Sequence, residues 1–206
     1  MDLKKIVEAM LDGNCILFTG SGFSRGATNI QSHPLGTATW LIEEMLKECD
    51  IDDDGFDLEE AVDYFLDKRG EQKLVDFLKE QFSVNSISDS QKYIGSIPWK
   101  RIYTTNYDNV IDLAYKNNDK YIETVTLSDS WSNYRESELP MCIHLNGSIT
   151  RLNRESLQSE FKLTNVSYLT TDFVDSEWLK LFHSDLATSD YIVFIGFSLK
   201  YDLDLK

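Results

Sequence analysis

Apolar residues recur along this chain in two rhythms, and the changes of rhythm divide it into elements. Leu3, Ile6, Val7, Met10 and Leu11 fall at helical spacing, with Asp2 placed to cap and Gly13 to stop, so residues 2–12 are predicted to form an amphipathic helix. Cys15-Ile16-Leu17-Phe18 follows as an unbroken apolar run, the pattern of a strand covered on both faces and hence of a parallel sheet. Residues 101–104, 122–126, 141–145 and 191–195 repeat that pattern, separated by segments long enough for crossover helices. Residues 107–115 and 171–186 read as helices that cover the sheet, the second with Val174, Trp178, Leu181 and Phe182 on one stripe. Between 35 and 97 the rhythm is purely helical, with amphipathic segments at 40–47, 58–66 and 74–82 and no strand among them. The expected fold is α/β: a Rossmann-like parallel sheet flanked by helices, interrupted between its first and second strands by a helical insertion.

The 206 residues, 42% of them hydrophobic, fit one domain with a sizeable insertion and a real core. Charge narrows the class of partners. With 35 acidic against 20 basic residues the formal charge is −15, which repels a phosphate backbone and disfavours nucleic-acid binding by this domain. Residues 43–67 hold twelve Asp or Glu against one Lys; their spacing matches no calcium loop, so they read as a solvated helical face with an acidic loop at Asp52-Asp53-Asp54. No apolar run is long enough to span a bilayer, and Glu8 and Asp12 break any signal-peptide pattern. Cys15, Cys49 and Cys142 form no C-x-x-C pair, which fits a reducing compartment and offers no metal site; a cytoplasmic protein is expected.

Four polar turns stand where predicted strands end. After the first strand comes Gly20-Ser21-Gly22-Phe23-Ser24-Arg25-Gly26, where glycines let the backbone approach a ligand and the amides opening a helix can cradle a pyrophosphate. The second is Thr104-Thr105-Asn106-Tyr107-Asp108, whose Asn106 and Asp108 either face a ligand or cap the next helix. The third is His144-Leu145-Asn146-Gly147-Ser148; His144 is a candidate general base toward a ribose hydroxyl or a water, with a structural imidazole as its alternative. His33 and His183 lack such a setting and read as structural, and nothing marks Cys142 as a nucleophile. The fourth is Gly196-Phe197-Ser198, a tight turn with a hydroxyl where a second part of a dinucleotide fits. A purely structural sheet has no need of polar residues at four strand ends, so the set points to a ligand site.

In order and spacing these pieces resemble the motifs of the sirtuin-like superfamily over almost the whole chain. Gly20-Ser21-Gly22-Phe23-Ser24 is similar to its Gly-Ala-Gly-x-Ser phosphate turn, Thr105-Asn106-Tyr107-Asp108 to its Gln-Asn-x-Asp motif, His144 to its catalytic histidine and Gly196-Phe197-Ser198 to its Gly-Thr-Ser turn. The departures select the branch. Two C-x-x-C zinc pairs of the protein deacylases are absent, a Pro-Asp-Phe-Arg loop is replaced at 24–34, and Thr105 stands for the usual Gln. The pattern is closer to the zinc-less sirtuin-like effectors of bacterial anti-phage defence, which hydrolyse and deplete NAD.

That resemblance implies NAD as substrate, no zinc, and an NAD glycohydrolase releasing nicotinamide and ADP-ribose. By the same resemblance Asn106 positions the attacking water and a ribose hydroxyl, His144 acts as general base, and Asp108 meets the nicotinamide carboxamide. Gly20, Gly22 and Ser24, flanked by Ser21, Phe23 and Thr105, would contact the pyrophosphate; Gly196, Phe197 and Ser198 the adenosine half; Arg25 the phosphate charge. Because the chain stops just past its last predicted strand, 1–206 is expected to be the N-terminal part of a longer polypeptide, with a C-terminal regulatory region or partner protein and a homo-oligomeric state. Two other readings stay open: an NAD or ADP-ribose-derivative sensor without turnover, and a protein deacylase.

Overall fold

The computed structural model describes residues 2–52, 55–159, 161, 163, 173 and 176–197. Its strands are β1 (Cys15–Thr19), β2 (Thr28–Asn29), β3 (Val84–Ser86), β4 (Arg101–Thr104), β5 (Glu123–Thr126), β6 (Met141–His144) and β7 (Tyr191–Ile195). Its helices are α1 (Leu3–Leu11), α2 (Ala38–Glu48), α3 (Leu58–Arg69), α4 (Glu71–Phe82), α5 (Asp89–Ile94), α6 (Val110–Lys116), α7 (Arg154–Ser159) and α8 (Glu177–Thr188). Five strands form one sheet in the order β5-β6-β4-β1-β7, and every pairing in it is parallel.

Alternation along β1 explains the layering. Cys15 and Leu17 pack on one face with Ala9 of α1 and Val110, Ile111 and Ala114 of α6, while Ile16 and Phe18 pack on the other with Trp178 and Phe182 of α8. A strand with both faces buried is expected to be apolar along its length, as this one is from Cys15 to Phe18 before it ends on Thr19. Asp2 accepts from the Lys4 amide to cap α1 and Gly13 follows it at φ +73°, both as expected, and Asp57 with Glu60 forms a capping box on α3.

The segment between β1 and β4 has a second core of its own, built from Leu41 and Met45 of α2, Phe65 of α3, and Leu74 and Leu78 of α4. Ile149 and Leu152, just after β6, join that core and so tie the helical segment to the C-terminal edge of the sheet. Three expectations need correcting. The stretch 35–97 is not purely helical: β3 pairs antiparallel with β2, and Asn109 clasps Val84 by accepting its amide at 2.7 Å and donating to its carbonyl at 3.4 Å. Strands of two and three residues carry too few alternations to register as a pattern. The helix expected over 107–115 starts at Val110, because the Asp108 carboxylate accepts the Val110 amide and holds the preceding residues outside the helix. Between β5 and β6 the described residues form a single 3-10 turn, Trp131–Asn133, in place of a crossover helix. That connection is held by an Asp129–Arg151 ion pair and by Trp178 Nε1 donating to the Asp129 carbonyl at 2.9 Å. Of the expected helix 171–186, the part from Glu177 onward is present, and most of the preceding residues lie outside the described ones.

Candidate functional site

Parallel pairing in register lines up the last residues of the five strands: Thr126 beside His144, His144 beside Thr104, Thr104 beside Thr19, and Thr19 beside Ile195. Every loop that leaves them therefore opens on one edge, the edge at which open α/β sheets bind ligands. The four polar turns, far apart in sequence, are neighbours there. Thr19 Oγ1 donates to Thr104 Oγ1 at 2.8 Å across the two central strands, so even the row itself is polar and buried.

The glycine turn is built differently from the expected helix opening. Residues Ser21–Ser24 form a single 3-10 turn, and the next helix begins only at Ala38. Four amides of the Gly20–Gly26 turn are already engaged: Gly20 donates to the Ile195 carbonyl at 3.1 Å, Gly22 to Gly196 at 2.9 Å, Phe23 to Gly20 at 2.9 Å and Arg25 to Gly22 at 3.4 Å. The glycines serve the meeting of two turns. Gly196 sits at φ +68°, and a Cβ there would lie 1.9 Å from the Phe23 nitrogen; one on Gly22 would lie 2.9 Å from the Gly196 Cα. Phe23 is buried in the core and Phe197 packs its ring on Phe18 at 5.1 Å, whereas Ser21 and Arg25 are exposed. Ser198 lies outside the described residues.

Asn106 is the hub. Its side-chain amide donates to the Gly20 carbonyl at 3.0 Å and to Ser24 Oγ at 2.9 Å, so both hydrogens staple the turn after β4 to the glycine turn. Ser24 in turn donates to Asp108 Oδ2 at 2.5 Å, and Asp108 Oδ1 accepts the Val110 amide at 3.0 Å. Burial pushes the Asp108 carboxyl above the usual carboxylate range, against the pull of those two donors. Thr105 contributes its backbone, donating to the Thr19 carbonyl at 3.1 Å and accepting from Asn146.

His144 is fully buried, with Nδ1 at 2.9 Å from the backbone carbonyl of Asn106. A carbonyl only accepts, so Nδ1 carries the proton and the neutral ring presents a bare lone pair at Nε2. Among the described residues Nε2 meets no partner. A buried imidazole in this tautomer is set to take a proton. Nothing comparable surrounds His33 or His183.

Sequence reading did not single out two further residues of this site. Asn146, also buried, donates to the Thr105 carbonyl at 3.0 Å while its Oδ1 has no partner among the described residues. Gln91 of α5 donates to the carbonyls of Phe23 at 2.7 Å and Arg25 at 3.3 Å, bracing the glycine turn from the insertion; its sequence signal was only the Ser88/Gln91 capping box. Cys142 is buried, and that burial pushes its thiol well up, away from nucleophilic use. Among the described residues no group of three His, Cys, Asp or Glu could hold a metal ion, and no helix is long and apolar enough to cross a membrane. A cavity of about 470 Å³ opens at the opposite sheet edge, beside Arg101 and Met141, away from these residues.

Residues 100–203 match a family model described as a SIR2-like domain. The NAD(+) hydrolase ThsA of Cytobacillus dafuensis is 26% identical over 114 residues, which are 53% of this chain and 22% of that protein. The NAD(+) hydrolase ThsA of Acinetobacter baumannii (strain 532279) is 22% identical over 201 residues, 95% of this chain and 39% of that protein. The chain thus spans well under half the length of either relative.

Proposed function

The chain belongs to the SIR2-like domain family, and from that membership we propose that it hydrolyses NAD to nicotinamide and ADP-ribose. The observation that carries this reading is the His144 imidazole, buried at the ligand-binding edge of the sheet with Nδ1–H fixed by the Asn106 carbonyl and Nε2 left as a base. Two relatives that bear the name NAD(+) hydrolase support it.

The chemistry needs little beyond positioning. Nicotinamide is a cationic substituent and leaves neutral, so bond breaking places positive charge on the ribose, and water adds at the anomeric carbon. One proton leaves that water; His144 Nε2 accepts it. The Asn106 amide hydrogens are engaged by Gly20 and Ser24, so the oxygen Oδ1 is the atom it offers to orient the water. Asp108 accepts from Ser24 and so holds the glycine turn against this site, and the Gly20–Ser24 and Gly196 turns frame the pyrophosphate and adenosine. No step requires zinc.

We extend the reading to an NAD-depleting effector of bacterial anti-phage defence, resident in the cytoplasm and held idle in a homo-oligomer by an attached region or a partner, since unregulated NAD loss would harm the producing cell. The test is NAD consumption followed by chromatography of nicotinamide and ADP-ribose, with Asn106→Ala and His144→Ala beside the parent and no acylated peptide added. Turnover by the parent that both substitutions abolish supports hydrolysis at this site. Tight NAD binding with no nicotinamide released, partners included, replaces it with a nucleotide-sensing role.

A further inference from the structure

At the sheet edge opposite the polar turns, where β4 and β6 begin, a cavity of about 470 Å³ is lined by Lys100, Arg101, Lys120 and Arg135, with Glu138 the single carboxylate among its lining residues. In a chain whose formal charge is −15, this is a local excess of positive charge. Arg101 is neutralised by Asp185, 2.6 Å away. Lys100 donates to the Thr188 carbonyl at 2.9 Å and hydroxyl at 2.5 Å, and Lys120 to the carbonyls of Gly95 at 3.3 Å and Ser96 at 2.9 Å. Uncharged oxygens thus fix both ammonium groups and leave each with one N–H over. Arg135 is exposed, and among the described residues none of Lys100, Lys120 and Arg135 pairs with a carboxylate. Cations gathered round one cavity repel each other and add nothing to packing, so a structural role leaves them unexplained.

The rest of the wall is aromatic. Trp131 and Tyr134, both half-buried, are backed by the ring of Trp178 at centroid distances of 6.0 Å and 6.2 Å, and the Arg101 guanidinium lies 5.8 Å from the Trp131 centroid. Rings and ammonium groups held in place before binding lower its ordering cost. A concave space of roughly 300–1,000 Å³ is the size that takes a small molecule, and a cleft lined by one sign of charge focuses its field on the opposite one. We propose that this cavity is a second ligand site, separate from the one around His144, and that it takes a nucleoside monophosphate. The phosphate oxygens accept from Lys100, Lys120 and the Arg135 fork, and the base lies against Trp131 and Tyr134.

The experiment is calorimetric titration of the protein with AMP, adenosine and inorganic phosphate at low and high salt, beside Arg135→Glu, Trp131→Ala and Asn106→Ala. AMP is expected to bind at least about tenfold more tightly than either fragment, and less tightly as salt rises. Arg135→Glu changes an exposed side chain, so it is expected to melt with the parent and yet weaken AMP by about tenfold or more. Trp131→Ala is expected to weaken AMP and adenosine alike, while Asn106→Ala, at the other edge, leaves AMP within about twofold of the parent. Absence of AMP binding, or binding that Arg135→Glu leaves untouched, overturns the proposal. So does binding that Asn106→Ala removes, which moves AMP to the glycine turns. Phosphate alone binding as tightly as AMP overturns the nucleotide class and leaves an adventitious anion trap.

Discussion

The imidazole Nδ1 of His144 lies 2.9 Å from the backbone carbonyl of Asn106, so the end of β6 and the turn after β4 are joined through a main-chain atom that no side-chain substitution removes. Asn106 therefore has separable duties. Its carbonyl sets the histidine tautomer, and its amide holds the Gly20 carbonyl and Ser24 Oγ. Asn106→Ala keeps the first and loses the second, removing two buried hydrogen bonds worth about 0.5–1.5 kcal/mol each, while Gly20 keeps the Phe23 amide and Ser24 keeps Asp108. Urea unfolding is expected to place Asn106→Ala about 1–3 kcal/mol below the parent; an unchanged midpoint would mean that the staple carries no load.

Gly196 and Gly70 both have positive φ, +68° and +81°, yet a Cβ on Gly70 meets nothing within 4 Å while one on Gly196 strikes the Phe23 backbone at 1.9 Å. A positive φ with an extended ψ, as at Gly70 (ψ 166°), costs a non-glycine residue roughly 1–3 kcal/mol by itself. Gly70→Ala should lose about that much and keep its ligand binding. Gly196→Ala must also part the two turns, so thermal melting should fall further and NAD affinity should drop at least tenfold. Equal losses in the two variants would show that the contact between the turns is dispensable.

Beneath the sheet, Asp185 of α8 accepts from Arg101 Nε at 2.6 Å and from the Tyr103 hydroxyl at 2.7 Å, with the Asp185 side chain 4% exposed. Removing one partner of a buried ion pair leaves an uncompensated charge, and here a phenol as well. Asp185→Ala is expected to cost about 3–5 kcal/mol in denaturant unfolding. The double substitution with Arg101→Met should recover part of that loss, since the stranded guanidinium is gone; no recovery would locate the cost in Tyr103 or in packing.

The sheet was legible because each of its strands is short, carries apolar residues and is followed by a polar turn; all five strands lie within a residue of their predicted limits. The register was not written in any one strand, but parallel pairing made Thr19, Thr104 and His144 adjacent and so turned scattered motifs into a site. What escaped reading depends on contacts between distant residues. Gln91 looks like a helix cap until α5 is docked on the glycine turn, and Asn146 looks like a turn residue until Thr105 is placed beside it. The glycine turn reads as a phosphate cradle from its composition, whereas its amides at Gly22 and Phe23 are closed by Gly196 and Gly20.

Asp108 gives the site a pH signature whose sign follows from burial. Its carboxyl titrates above the usual carboxylate range in the folded protein, while the unfolded chain releases that proton near pH 3.9. Between those two values the folded state holds the proton more tightly, so stability contributed by Asp108 is present at low pH and is lost as pH rises through the window. Asp108→Asn removes this loss. Its stability relative to the parent should therefore climb from about pH 4 upward, no more steeply than about 1.4 kcal/mol per pH unit for a single proton, and level off once the parent carboxyl is ionised. The lost bond from Ser24 shifts the whole curve by a constant and leaves its slope alone. Urea midpoints of both proteins between pH 4 and 8 measure the difference directly, and parallel curves would place the folded Asp108 at its ordinary pKa.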